Sequence, residues 1–152
     1  MPSFRTTRHV RHSPEQMFEL VADCEKYPAF LPLCRALRIR RRIPGGEGVE
    51  TLIADMEVGY KAIRERFTSR VTIDRPHLRI LVEYVDGPFS HLENRWKFEP
   101  DPVHSGAQVD FFITYEFRSR TLGALMGTVF DAAFHKFAEA FEERADEIYG
   151  RH

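Results

Sequence analysis

Asp131 and His135 stand four residues apart in a helical stretch, a spacing that puts both side chains on one helix face. Two ligands do not complete a metal site, so the pair reads as a surface ion pair and the metal expectation is none. His9 and His12 leave their strand segment on opposite faces and do not converge. The chain has no G-x-S-x-G elbow, no Gly-rich phosphate loop, and no His-x-x-x-His or Glu-x-x-His pattern. Cys24 and Cys34 make neither a disulfide framework nor a zinc-finger spacing and read as two reduced thiols. Glu65 and Tyr115 remain as candidates for an acid or base. With no catalytic constellation around them, the expectation is a binding protein and not an enzyme.

The elements that must position these residues follow from periodicity. Ser3 to Arg11 alternates as a strand. Ser13-Pro14-Glu15-Gln16 reads as a helix start, with Ser as cap, Pro in the first turn and Gln completing a capping box. That helix stops before Tyr27-Pro28, and the stretch YPAFLPLC forms a short, Pro-bounded apolar connection. Six strands follow, at about 35–43, 49–58, 61–74, 77–86, 89–99 and 107–118, punctuated by Gly and Pro turns. A final helix runs from about Leu122 to Tyr149, capped by Gly150 and roughly 40 Å long at 1.5 Å per residue. Its Phe130, Phe134, Phe137 and Phe141 fall on one face.

Six strands joined by short turns make an antiparallel meander, with the first strand at an edge. The long amphipathic helix is the one element large enough to cover its apolar face. The expected class is therefore α+β, with a curved antiparallel sheet of about seven strands wrapped around a long C-terminal helix, over a single domain spanning 1–152.

An aromatic sheet face opposite an aromatic helix face closes either as a solid core or around an apolar cavity. Strand phase gives the candidate lining: Met56, Phe67, Tyr84, Asn94, Trp96, Phe98, Phe111 and Tyr115 from the sheet, with Phe130, Phe134 and Phe137 from the helix. The same phase turns Arg8, Arg41 and Glu65 inward as polar cavity candidates, Glu65 and Arg41 needing each other, a ligand or a wet opening. Asn94, Tyr115 or Arg41 would donate to a ligand with carbonyl or ether oxygens. A β-bulge would flip the assignment from its position onward.

Phe30, Leu31 and Leu33, flanked by Lys26 and Arg35, would suit transient contact with anionic lipid if exposed, or cap the core if not. Residues 1–42 carry nine Lys/Arg against four acids in a chain of net charge −1, so its N-terminal third is basic. The strand Arg35–Arg42 is the candidate surface for phosphate-bearing partners, or else a solvated strand exterior. Thirteen Phe residues are more than a routine domain needs, while 30% charged residues predict a soluble chain. The start, MPSFRTTRHVRH, lacks the apolar core of a signal peptide, and no apolar run approaches the length of a membrane span.

In combination, YPAFLPLC, DGPFSHLENRWKFEP and FEERADEIYG resemble the coenzyme Q-binding protein and ribosome-association toxin family, within the START-like, polyketide cyclase superfamily. The likeness runs over essentially the whole chain. It implies a helix-grip fold, a hydrophobic cavity and a ubiquinone-like isoprenoid quinone as ligand, carried in support of respiratory electron transport. It also implies two alternatives, a toxin that blocks joining of ribosomal subunits through Arg35–Arg42, and a small-molecule cyclase or hydrolase. Mitochondrial relatives carry an import segment; its absence here leads us to expect a bacterial cytoplasmic protein, peripheral at the inner face of the inner membrane.

Overall fold

The computed structural model describes residues 3–150. Its elements are β1 (Ser3–Val10), α1 (Pro14–Ala22), a 3₁₀ helix (Cys24–Ala29), β2 (Cys34–Pro44), β3 (Val49–Tyr60), β4 (Ile63–Asp74), β5 (Arg79–Asp86), β6 (Phe89–Pro100), β7 (Ala107–Phe117) and α2 (Arg120–Tyr149). The strands form one antiparallel sheet in the order β1-β7-β6-β5-β4-β3-β2. The meander is as expected, and β1 closes it by pairing with β7 from Ser3↔Thr114 to Val10↔Ala107. The fold is thus the α+β helix-grip arrangement.

Local chemistry explains the boundaries. Ser13 accepts from the Gln16 amide at 3.0 Å while Gln16 Oε1 accepts from the Ser13 amide at 3.0 Å, completing the capping box. The last helix starts two residues earlier than its periodicity suggests, because Ser119 Oγ caps it by accepting from Leu122 N–H at 3.1 Å. α1 ends at Ala22, before Tyr27-Pro28 as expected, and a separate 3₁₀ helix over Cys24–Ala29 carries the chain through Pro28. In β7 the residues Ala107, Val109, Phe111, Ile113 and Tyr115 are all buried, the period-two pattern of a strand with one dry face. Gly87, at φ +143°, lets the β5–β6 turn press on β4, where a Cβ would lie 2.6 Å from that of Phe67.

Two helices share the concave face unequally. Over the β6–β7 side, α1 buries Met17, Phe18 and Val21 to 1% exposure or less, and Phe18 meets Phe98 edge-on at 5.8 Å. This half is solid. Across the rest of the sheet lie α2 and the segment 24–34, and there the packing is incomplete. The end of α2 is tied back to the start of the chain by polar contacts: Arg8 Nε donates to Glu142 at 2.6 Å, and buried His12 is hydrogen-bonded to Asp146 at 2.7 Å. Among the described residues, no helix is long and apolar enough to cross a membrane.

Candidate functional site

A cavity of about 100 Å³ lies between the sheet, the segment 24–34 and α2. Its floor comes from alternate residues of β3 to β7: Ala54, Met56 and Val58, then Phe67, Ser69 and Val71, then Val82, Leu92, Asn94, Trp96 and Ile113. Phe130, Ala133, Phe134, Phe137 and Phe141 of α2 form one wall. Cys24, Tyr27, Leu31, Pro32, Leu33 and Cys34 form the roof, and Leu37 of β2 adds to the floor beside Met56. None of these residues carries a formal charge at neutral pH.

The aromatic wall is cut to shape by edge-to-face contacts. Phe130 and Phe134 meet at 5.7 Å and Phe134 and Phe137 at 5.2 Å, the successive rings that steps of four and three residues on a helix bring together. Phe141 closes the far end against Trp96 at 5.1 Å and Tyr27 at 5.3 Å.

Of the eleven residues expected to line a ligand site, Met56, Phe67, Asn94, Trp96, Phe130, Phe134 and Phe137 border the cavity. Four do not. Phe98 lies parallel to Trp96 with centroids 5.9 Å apart and is covered by α1, which strand phase could not reveal. Phe111 sits behind Trp96 at 4.7 Å and is 1% exposed. Tyr84 turns to the β5–β6 corner, where its hydroxyl accepts from the Phe89 amide at 3.2 Å. Tyr115 lies behind the helix rings, 5.1 Å from Phe134, with its hydroxyl 3.4 Å from the Gly127 carbonyl.

The polar candidates are also redistributed. A bulge between Ile39 and Arg41 shifts β2 by one residue, so Arg41 pairs with outward-facing Ile53 and is exposed. Glu65 is half-buried opposite Val58, outside the cavity, and no ion pair joins it to Arg41. Asn94 does line the cavity, but it is already engaged. Its Nδ2 donates to the Phe112 carbonyl at 2.9 Å, and its Oδ1 accepts from Trp96 Nε1 at 2.9 Å. Asp131 and His135 stand together on an exposed face of α2 as expected, with Oδ2 and Nε2 3.6 Å apart.

The apolar connection is a roof rather than an exposed tip. The Tyr27 carbonyl accepts from both Phe30 N–H at 3.1 Å and Leu31 N–H at 2.8 Å, and this tight turn folds the side chains inward. Leu31 is 6% exposed, Leu33 is half-buried, and half-buried Phe30 packs edge-on against Phe141 at 5.1 Å. The expected membrane contact through these three side chains is therefore corrected: they cover the core and, for Leu31 and Leu33, the cavity.

Sequence reasoning missed Cys24, Tyr27, Cys34 and Ser69 as lining residues. The two thiols are kept protonated by their surroundings: burial pushes Cys24 up to about 11, and burial with the neighbouring Cys24 pushes Cys34 up to about 12. Burial also raises Tyr27, whose hydroxyl donates to the Val21 carbonyl. The one signal available beforehand was the phase of β4, where Ser69 occupies an inward position between Phe67 and Val71.

On the outside, Arg35, Arg38, Arg40, Arg41 and Arg42 are all exposed on β2, an edge strand. Arg40 pairs with Asp55 at 3.5 Å, and Arg42 with Glu25 at 2.8 Å and Glu50 at 3.1 Å. Among the described residues, no ion pair engages Arg35, Arg38 or Arg41.

Residues 10–142 match the family described as polyketide cyclase / dehydrase and lipid transport. A ribosome association toxin RatA of Rickettsia prowazekii is 36% identical over 97% of this chain and 99% of its own. A mitochondrial coenzyme Q-binding protein homologue of Xenopus laevis is 33% identical over 91% of this chain, which spans 56% of that protein. The solution structure of an 18 kDa protein from Caulobacter crescentus superposes with a TM-score of 0.80 at 34% identity, covering 99% of both chains. An aromatase/cyclase from Streptomyces shares the fold, with a TM-score of 0.74 at 16% identity over 95% of this chain and 93% of that one.

Proposed function

The chain belongs to the polyketide cyclase / dehydrase and lipid transport family, and from that premise we propose that it binds an isoprenoid quinone in the cavity beneath α2 and carries it between membrane and enzyme. The observation that carries this reading is the lining, uncharged throughout and mostly aliphatic or aromatic. A prenyl tail gains about 25 cal/mol for each Å² of apolar surface it buries, so such walls are what it needs. The quinone ring offers acceptors only, which an uncharged wall with an occasional hydroxyl or amide can satisfy.

Size sets a condition. The enclosed space is about 100 Å³, whereas pockets for drug-sized ligands run to roughly 300–1,000 Å³. A ring-sized group is the most that fits without movement. A long tail must open the structure between the segment 27–34 and α2, or lie along that seam.

Extraction of the purified protein with organic solvent, followed by mass spectrometry, tests the reading together with uptake of quinone from vesicles. Near-stoichiometric quinone in the extract, or saturable uptake from vesicles, is the expected result. An empty extract together with no uptake would sink it.

The exposed arginines of β2 favour a second reading, contact with ribosomal RNA, in line with the names of the bacterial relatives. Binding to ribosomal particles that weakens steeply with salt and is lost in Arg35→Glu/Arg38→Glu/Arg41→Glu would support it. Salt-independent binding, or none, would remove it.

A further inference from the structure

We propose that Ser69 is the polar anchor of the cavity and that the cavity selects a neutral lipid bearing an oxygen function, rejecting ionised lipids of the same length. This rests on the reading of the cavity as a lipid site.

The argument begins with which polar groups in the lining are already occupied. Asn94 is bonded at both ends of its amide, to Trp96 and to the Phe112 carbonyl. Tyr27 donates to the Val21 carbonyl, and Cys24 Sγ lies 3.9 Å from the same oxygen. Cys34 Sγ lies 3.9 Å from the Ala36 carbonyl. Ser69 differs. It is 6% exposed, borders the cavity, and makes no hydrogen bond to any described residue.

A hydroxyl that faces an apolar cavity with no protein partner is unfavourable, and native interiors rarely keep one. Its surroundings leave room for a partner that is not protein. Ser69 stands between Phe67 and Val71 on β4, opposite Ala54 of β3, which is 2% exposed and has only a methyl group to fill the space beside the hydroxyl. Toward β5 it is opposite Tyr84, whose own hydroxyl is turned away to the Phe89 amide. Among the side-chain oxygens that border the cavity, this hydroxyl is thus the one without a partner among the described residues.

The chemistry of the ligand follows. A hydroxyl both donates and accepts, so a ketone, quinone, ether or alcohol oxygen can meet it. A carboxylate or phosphate cannot be held there. No Lys, Arg or His lines the cavity, and an ion buried without a countercharge is strongly disfavoured.

Calorimetric titration tests this with two probes of matched tail: a benzoquinone bearing a ten-carbon alkyl chain, and decanoate at pH 7.5. The wild-type protein should bind the quinone and leave decanoate at least tenfold weaker. Ser69→Ala should weaken the quinone about five- to tenfold, the worth of one neutral hydrogen bond, with a thermal midpoint equal to or above wild type because an unpaired hydroxyl has been removed. Ser69→Cys, of nearly the same shape but a weak donor, should lose affinity similarly. If the quinone binds and both variants bind it as tightly as wild type, the anchor is overturned while the lipid reading stands. If decanoate binds as tightly as the quinone, selection for neutral ligands is overturned. Failure of the wild-type protein to bind either probe would take down the lipid reading itself, and the anchor with it.

Discussion

Trp96 and Asn94 hold each other on the cavity floor: the indole Nε1 donates to Asn94 Oδ1 at 2.9 Å across two residues of β6. The asparagine in turn donates to the Phe112 carbonyl at 2.9 Å, so it braces the sheet and the indole together. A side chain that looked from strand phase like a free hydrogen-bond donor is first a structural strut.

Asn94→Leu should therefore act on stability before affinity. It strips the partner from a buried indole N–H, a loss of about 1–3 kcal/mol. Denaturant unfolding should show that loss, and emission of Trp96, the chain's single tryptophan, should change because its hydrogen bond is gone. An unfolding midpoint unchanged from wild type would contradict the strut.

Phe98 and Phe137 separate core from cavity. Phe98→Ala removes a ring clamped between Trp96 and Phe18 and should cost about 3–5 kcal/mol. Affinity of the remaining folded protein for the alkyl benzoquinone should be little changed. Phe137→Ala removes a half-buried ring from the cavity wall and should cost less than that while altering the affinity. Paired unfolding and binding curves check both, and a reversed pattern would mean the cavity has been placed on the wrong side of Trp96.

The thiols give a pH signature with a definite sign. Cys24 and Cys34 are raised from an ordinary value of 9.0 to about 11 and about 12, so the folded protein holds their protons more tightly than the unfolded chain. Their contribution to stability is whole below pH 9 and is lost as pH rises through about 11 and 12. Unfolding midpoints should fall over that alkaline range, less so in a Cys24→Ala/Cys34→Ala variant. At pH 7.5 iodoacetamide should label neither thiol in the folded protein and both after denaturation, since the thiolate is the nucleophile. Rapid labelling of the native protein would contradict this.

Gly127 interrupts α2 where nothing lies within 4 Å of the position a Cβ would take. No close approach of a neighbour requires glycine there, and at Gly123 a Cβ would make only ordinary contact with Phe117, at 3.7 Å. Gly127→Ala should raise stability by about 0.5–1 kcal/mol from helix propensity alone. If the glycines let the start of α2 move to admit ligand, the same substitution should slow quinone uptake in stopped-flow quenching of Trp96. Higher stability with an unchanged rate would leave the glycine without a gating role.

Much of this protein was legible in its sequence. Period-two alternation placed every strand, because one face of each is dry. The Ser13 capping box and Gly150 marked helix ends, because orphan backbone groups need those residue types. Helical spacing alone placed Phe130, Phe134 and Phe137 on one helix face, though not whether that face met a solid core or a cavity. What tertiary structure decided was which inward residues face protein and which face space. Phe98 and Phe111 share the phase of Trp96, yet Phe18 of α1 covers Phe98, and the rings of Phe4, Trp96 and Phe137 surround Phe111, so neither reaches the cavity. Arg41 turned outward because one bulge moved it to the other face, a change that no pattern of side chains announces. Ser69 is small, polar and unremarkable between Phe67 and Val71, and only the absence of a partner within reach singles it out. Alternation is a property of one strand, whereas a cavity is the volume that several elements together fail to fill.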